Sequence, residues 1–220
     1  MICFKTMTSM TYGRFISFQS SLGHTRIMFH SGQRYAIATE TTPLPDAAVG
    51  LEVMTTLFET FYNTTSEVLL DTGVIGTIAF QPMPRTITSK AIALGGVRSI
   101  LPLTVVYTSN FILKQDLLSF PDTTDYIIME LDISHSLASD DDTTEAAIQQ
   151  LYTALDNHVQ KFIAEGVLPD VYRPLFMNDA HGTQDYWGRI STADEARAVR
   201  EKYDPELFWQ KRTSGGFRLG

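Results

Sequence analysis

One cysteine, Cys3, stands in 220 residues, so no disulfide can form within the chain. There is no CxxC pair, and the five histidines (His24, His30, His135, His158, His181) show no HExxH or other ligand spacing, which leaves no metal site to expect. Basic residues are in deficit. Seventeen Lys and Arg face 25 Asp and Glu, a formal charge of −8, which argues against nucleic acid or an anionic membrane as partner because both require basic patches. Long apolar runs are missing too: the longest, around Ile100 to Tyr107, falls far short of the ~20 residues that span a bilayer. The opening MICFKTMTSMTYGRF lacks the sustained apolar stretch of a secretory leader. A cytoplasmic location is therefore expected, with the Asn63-Thr64-Thr65 sequon silent. Neither GxGxxG nor a Walker loop follows any strand-like stretch, and no internal repeat or low-complexity tract occurs.

What is present is a core-forming composition. Hydrophobic residues make up 44%, with 13 Phe and nine Tyr, enough for one large domain or two small ones. Residues 1–45 are Ser- and Thr-rich and irregular; FISFQS and RIMFHSGQRYAIAT suggest two strands with a turn at Ser31-Gly32. Pro45-Asp46 opens a helix to about Tyr62, with Leu51, Met54, Leu57, Phe58 and Phe61 on one face. Val74 to Gln81 reads as a strand stopped by Pro82 and Pro84. Gly95-Gly96 marks a turn, and LPLTVVYTSNF another strand.

Asp125 to Ser134 is the clearest strand. Ile127, Met129, Leu131 and Ile133 point one way, Tyr126, Ile128, Glu130 and Asp132 the other. The next segment is the clearest helix. Asp142 and Glu145 have capping-box spacing, Ile148, Leu151, Tyr152, Leu155, Val159, Phe162 and Ile163 form a stripe, and Gly166 ends it in a left-handed cap. Val171 to Met177 reads as a last short strand. Ser191, with Asp194 as capping partner, starts a final helix through Ala196, Val199 and Tyr203, stopped by Asp204-Pro205. Phe208 and Trp209 then form an aromatic hook that should bury on a neighbouring surface. A one-sided helix next to a one-sided strand packs face to face. The expected fold is α+β, a mainly antiparallel sheet with helices on one face and an open polar and aromatic face opposite.

Four stretches, in order, carry a resemblance. They are IAFQPMP (78–84), the Gly95-Gly96 turn, LFMNDAHGTQDYWGRI (175–190) and ARAVREKYDPELFWQKRTSGGFRLG (196–220). Together they resemble the C-terminal, substrate-binding half of a FAD-linked oxidoreductase of the berberine-bridge-enzyme-like type, over residues 45 to 220. The resemblance implies a substrate-binding domain over 46–190, and a helix and tail over 191–220 that pack on a flavin domain. It also implies FAD as cofactor and a small organic substrate, in secondary metabolism. The departures are specific. The family's FAD-binding domain, with its diphosphate loop, has no counterpart here. Gly23-His24 lacks the glycine and serine that flank the family's Gly-Gly-His-Ser. Val97 stands where the family has asparagine, and residues 97–124 are longer and more apolar than the family's loop.

In the family the polar face of this sheet roofs the flavin. The resemblance thus implies Glu130 as the base that takes a substrate proton, Tyr126 as its polar neighbour, and Gln81, Asp132, Phe80 and His181 as substrate contacts. Asn178 and Trp187 would lie against the cofactor. The same residues also fit blander roles: Glu130 and Asp132 a solvated sheet face, Gln81 an edge residue, Trp187 a core aromatic, His181 a solvent-facing loop histidine. Three readings stay open. The chain is the substrate-binding part of a FAD-linked enzyme, working with a separate FAD-binding polypeptide or as a homodimer. It is a flavin-free binding or cyclase/isomerase module. Or it is a truncated remnant without function.

Overall fold

The computed structural model describes residues 34–70, 73–93 and 118–219. FISFQS, Ser31-Gly32, Gly23-His24, Gly95-Gly96, Val97 and LPLTVVYTSNF lie outside the described residues. Three strands, β1 (Arg34–Pro43), β2 (Ile75–Met83) and β3 (Tyr126–His135), form one sheet in the order β1-β3-β2. Both outer strands run antiparallel to β3. The expected α+β fold is the one observed. The strand expected within RIMFHSGQRYAIAT is found from Arg34 onward and runs on past Thr39 to Pro43. Its continuation shows no alternation because Glu40, Thr41 and Thr42 are all buried.

Two helices, α1 (Gly50–Thr65) and α3 (Asp141–Ala164), pack on one face of the sheet and on each other. Ile127, Met129, Leu131 and Ile133 meet Val53, Leu57 and Phe61 of α1 and Ile148, Leu151, Leu155, Val159 and Phe162 of α3 in the main core. Burying each such side chain contributes about 1.5–3 kcal/mol. α1 starts at Gly50 and not at Pro45-Asp46, since 46–49 form a turn closed by Val49 N–H donating to the Asp46 carbonyl. Leu51, expected on the buried face, is 62% exposed. α3 keeps its stripe, and Gly166 adopts φ +72 at its end, where the Val167 and Leu168 amides fold back onto the Phe162 carbonyl. The Asp142–Glu145 capping box does not form. Glu145 turns instead to Gln149 and His181. The start of α3 is held by Asp141, whose carboxylate accepts from Arg34 (2.5 Å) and His135 Nε2 (2.8 Å), joining β1, β3 and α3.

A short helix, α2 (Arg85–Ala93), follows β2 and was not expected. Its first amide, Arg85 N–H, donates to the Asp125 carboxylate at 2.7 Å. β2 itself runs on through Pro82, which pairs opposite Ile127. Proline is tolerated there because β2 is an outer strand among the described residues.

Residues 171–177 are not a strand. They run past the outer edge of β1 and serve it with side chains and carbonyls. Helix α4 (Ala193–Tyr203) begins at Ala193 with no side-chain cap; Asp194 pairs with Arg197 (2.5 Å) instead of capping with Ser191. Asp204 then accepts from the Phe208 and Trp209 amides and starts the one-turn α5 (Phe208–Arg212). Phe208 and Trp209 stack edge-to-face on each other but remain 55% and 63% exposed, so among the described residues no surface buries the aromatic hook.

Candidate functional site

Register fixes which side chains share the face away from the helices. Opposite Asp132 stand Ile37 of β1 and Thr77 of β2; opposite Glu130 stand Thr39 and Ala79; opposite Ile128 stand Thr41 and Gln81. This face divides into two regions. At the Tyr126 end it is covered. Tyr126, Ile128 and Phe120 form a second apolar cluster with Met83, Leu118, Val171 and Phe176 packed around it. At the other end it carries carboxylates.

Gln81 Nε2 donates to Glu130 Oε2 across the β2–β3 pair, in a short hydrogen bond. Asp132 sits one strand repeat along, about 7 Å away by strand rise. Its carboxyl is pushed up to about 7, chiefly by burial and then by the charges of Glu130 and Asp179, against a hydrogen bond from Thr77. Asp179 is raised to about 6, again by burial first and Glu130 second. Its Oδ2 is buried with no hydrogen-bond partner among the described residues. Among the described residues no Lys, Arg or His is paired with any of the three. The result is a partly exposed anionic face with one anchored carboxylate and two that hold protons unusually well.

Asp179 is not among the residues the sequence points to, although it is the middle residue of Asn178-Asp179-Ala180 and adjoins the expected Asn178. It arrives because residues 173–190 wrap round the outer edge of β1. Gln184 is the pivot. Its side-chain amide donates to the Thr39 carbonyl (2.7 Å) and accepts from the Thr39 N–H (3.2 Å) and the His181 N–H (2.8 Å). Next along the edge, Thr41 N–H donates to Glu40 Oε1 (2.9 Å) and its carbonyl accepts from Arg173 (3.2 Å). Glu40, 1% exposed, is gripped by Arg189 (2.6 and 3.2 Å) and Arg173 (3.2 Å), and both arginines also face Asp156 of α3. Burial lifts the Glu40 carboxyl, and Arg189 opposes the lift.

The expected site residues separate accordingly. Glu130, Asp132 and Gln81 come together. Tyr126 does not join them: four residues of strand set it about 13 Å from Glu130. It packs against Phe120 (centroids 5.1 Å apart), and burial holds its hydroxyl above the usual phenol range. Phe80 lies in the main core, because strand alternation sends it to the side opposite Gln81. His181 sits against α3, with Nε2 on Glu145 (3.1 Å), Nδ1 on Thr183 (2.8 Å) and its ring stacked on Tyr152. Asn178 is exposed beside Asp179. Trp187 packs edge-on against Tyr186 in a third cluster with Leu175 and Ile190, its indole N–H buried without a partner among the described residues.

A shallow cleft of about 370 Å³ opens elsewhere, between α3 and residues 170–191, lined by Gln160, Tyr172 and Arg189 among others. Among the described residues no His, Cys, Asp or Glu group could hold a metal ion, and no helix is long and apolar enough to cross a membrane.

Over 191 residues the chain is 33% identical to an uncharacterized FAD-linked oxidoreductase of Arthroderma benhamiae. The matched stretch covers 86% of this chain and 34% of that protein, so the chain spans about a third of the length of the curated relative it matches. No family model matches the chain, and no solved structure does.

Proposed function

We propose that this chain is the substrate-binding part of a FAD-linked oxidoreductase of the berberine-bridge-enzyme-like type, acting on a small organic metabolite in secondary metabolism. The observation that supports it most is the coincidence of two facts. The similarity to a FAD-linked oxidoreductase runs over most of the chain. Within it, one face of the sheet presents Glu130 and Asp132 with Asp179 brought beside them by the turn at 178–180, and among the described residues no Lys, Arg or His pairs with the three. Oxidation of an alcohol or amine requires a group to take the O–H or N–H proton, and the carboxyls of Asp132 and Asp179, raised to about 7 and about 6, suit that task.

The described residues do not fit FAD itself. The cofactor's diphosphate needs backbone donors or cations, whereas this face is anionic. Trp187 is packed into its own cluster, and Asn178 stands beside a carboxylate. FAD in this reading is held outside the described residues, by a separate FAD-binding polypeptide or a second copy of the chain. The work of this face is to bind and orient the substrate and to accept its proton. The cofactor, when bound, supplies the electron acceptor.

Co-purification tests the reading. The chain is co-expressed with the part of the Arthroderma protein that it does not match, and the complex is dialysed and its visible spectrum recorded. A flavin band that bleaches on adding an alcohol or amine substrate is the expected result. Failure of the two polypeptides to associate, with the chain alone converting substrate in the absence of any flavin, would replace this reading with the flavin-free module.

A further inference from the structure

The carboxylate face holds two acidic side chains on one strand, and they are not equivalent. Glu130 is tied: Gln81 of β2 reaches diagonally across the ladder and donates its amide N–H to Glu130 Oε2. An amide N–H bonds a charged carboxylate more strongly than a neutral carboxyl. Asp132 is opposed by Thr77 on β2 and by Ile37 on β1, which offers no polar group. The charged groups that bear on it are Glu130 from its own strand and Asp179 from the turn at 178–180, both anionic.

We propose that Gln81 is a positioning residue that keeps Glu130 as the standing anion of this face, and that Asp132 is the carboxylate that gains and gives up the proton. The inference rests on the functional reading above for the meaning of that proton, but not for the division of roles. It moves the base from Glu130, where the family resemblance places it, to Asp132. Burial and two neighbouring anions raise Asp132 to about 7, which poises it to act at neutral pH. In the step itself, a substrate O–H or N–H passes its proton to an Asp132 oxygen. The bonding pair stays on the substrate atom, and the new carboxyl is stabilised by the Glu130 charge beside it. Like charges on neighbouring carboxylates favour one shared proton, and the hydrogen bond from Gln81 decides which of the pair carries it.

The test is a carboxyl-carbon NMR titration of the full chain, labelled at Asp and Glu side chains, with no flavin or substrate present. In the wild type the highest-titrating carboxyl of the face is expected to be Asp132. In Gln81→Met, which keeps length and volume but removes the donor, part of the proton passes to Glu130 and the Asp132 midpoint falls. In Glu130→Gln, which removes the neighbouring charge, it falls by about one unit. A Gln81→Met variant in which Asp132 titrates as in the wild type would overturn the positioning role. A wild type in which Glu130 titrates highest would overturn the assignment, even if Gln81→Met fails to fold. Because the readout needs no cofactor, it is independent of the co-purification result: a chain that binds no flavin partner can still show this division, and a functional complex can lack it.

Discussion

Gln184 closes the outer edge of β1 by bonding both the N–H and the carbonyl of Thr39 through its own side-chain amide. One glutamine thus does for Thr39 what a neighbouring strand would do. Thr39 is buried, so these backbone groups have no water to fall back on. The Gln184→Leu variant, close in size, is expected to lose about 2–4 kcal/mol in urea unfolding, since it leaves a buried donor and acceptor without partners. A loss below about 0.5 kcal/mol would show that water reaches the edge once the amide is gone.

The Glu40 cluster should respond to the loss of one partner far more than to the loss of two. Arg189→Met strands a buried carboxylate with Arg173 alone and is expected to destabilise by about 3–5 kcal/mol. Glu40→Leu combined with Arg189→Met removes both charges and should cost clearly less than the sum of the single changes. Chemical denaturation of the four-member cycle gives the coupling, and additive single effects would refute the network.

The pH dependence of stability has a defined sign. Asp132 and Asp179 hold protons more firmly folded than unfolded. The stability they contribute is complete below their usual value of 3.8 and is lost as pH rises through about 6 for Asp179 and about 7 for Asp132. Asp141 runs the other way, because Arg34 and then His135 lower it to about 2: its contribution is present above 3.8 and lost as pH falls through about 2. Asp132→Asn should therefore gain on the wild type in thermal stability as pH is raised from about 5 to about 8. Parallel melting curves for the two proteins over that range would count against the raised Asp132.

Gly188 is required by what fills the place of its missing side chain. A Cβ there would lie 2.0 Å from Asp185 Oδ2, and the same carboxylate accepts the Gly188 N–H at 3.0 Å through Oδ1. Gly188→Ala must push Asp185 outward and break that bond, at a cost of about 1 kcal/mol by calorimetry. Adding Asp185→Ala should recover no further loss on introducing Ala at 188. A full additional loss in the double variant would place the strain in the backbone instead.

Local, repeated signals were legible in the sequence and contacts between distant segments were not. β3 and α3 have strict periods of two and about 3.6, and both came out within a residue or so of their observed limits. α2 was invisible because its first amide is capped by Asp125, forty residues away in sequence. Residues 171–177 have strand composition, yet they meet β1 through side chains and carbonyls, such as Pro174 O accepting from Thr41 Oγ1 at 2.6 Å, and not through a ladder. In the site, alternation placed Glu130 and Asp132 on one face. It could not show that the chain would wrap the sheet edge and bring in Asp179, nor that Tyr126's end of the face would be roofed by Phe120 and Val171. Alternation also put Phe80 in the core once the β2 register was known.

The strand order has a consequence for how the chain is made. β1 and β2 leave the ribosome first, and among the described residues neither pairs with the other; each waits for β3, which lies between them and is synthesised last of the three. A nascent chain that has reached Ala93 holds two strands and two helices, and among the described residues no ladder joins the strands. Closing the sheet then means bringing Tyr126–His135 back between partners set some forty to a hundred residues earlier, long-range contacts that are entropically late. Until then the core-facing side of α1 has no completed sheet to cover it, which makes the interval before β3 emerges the period when this protein most needs a chaperone.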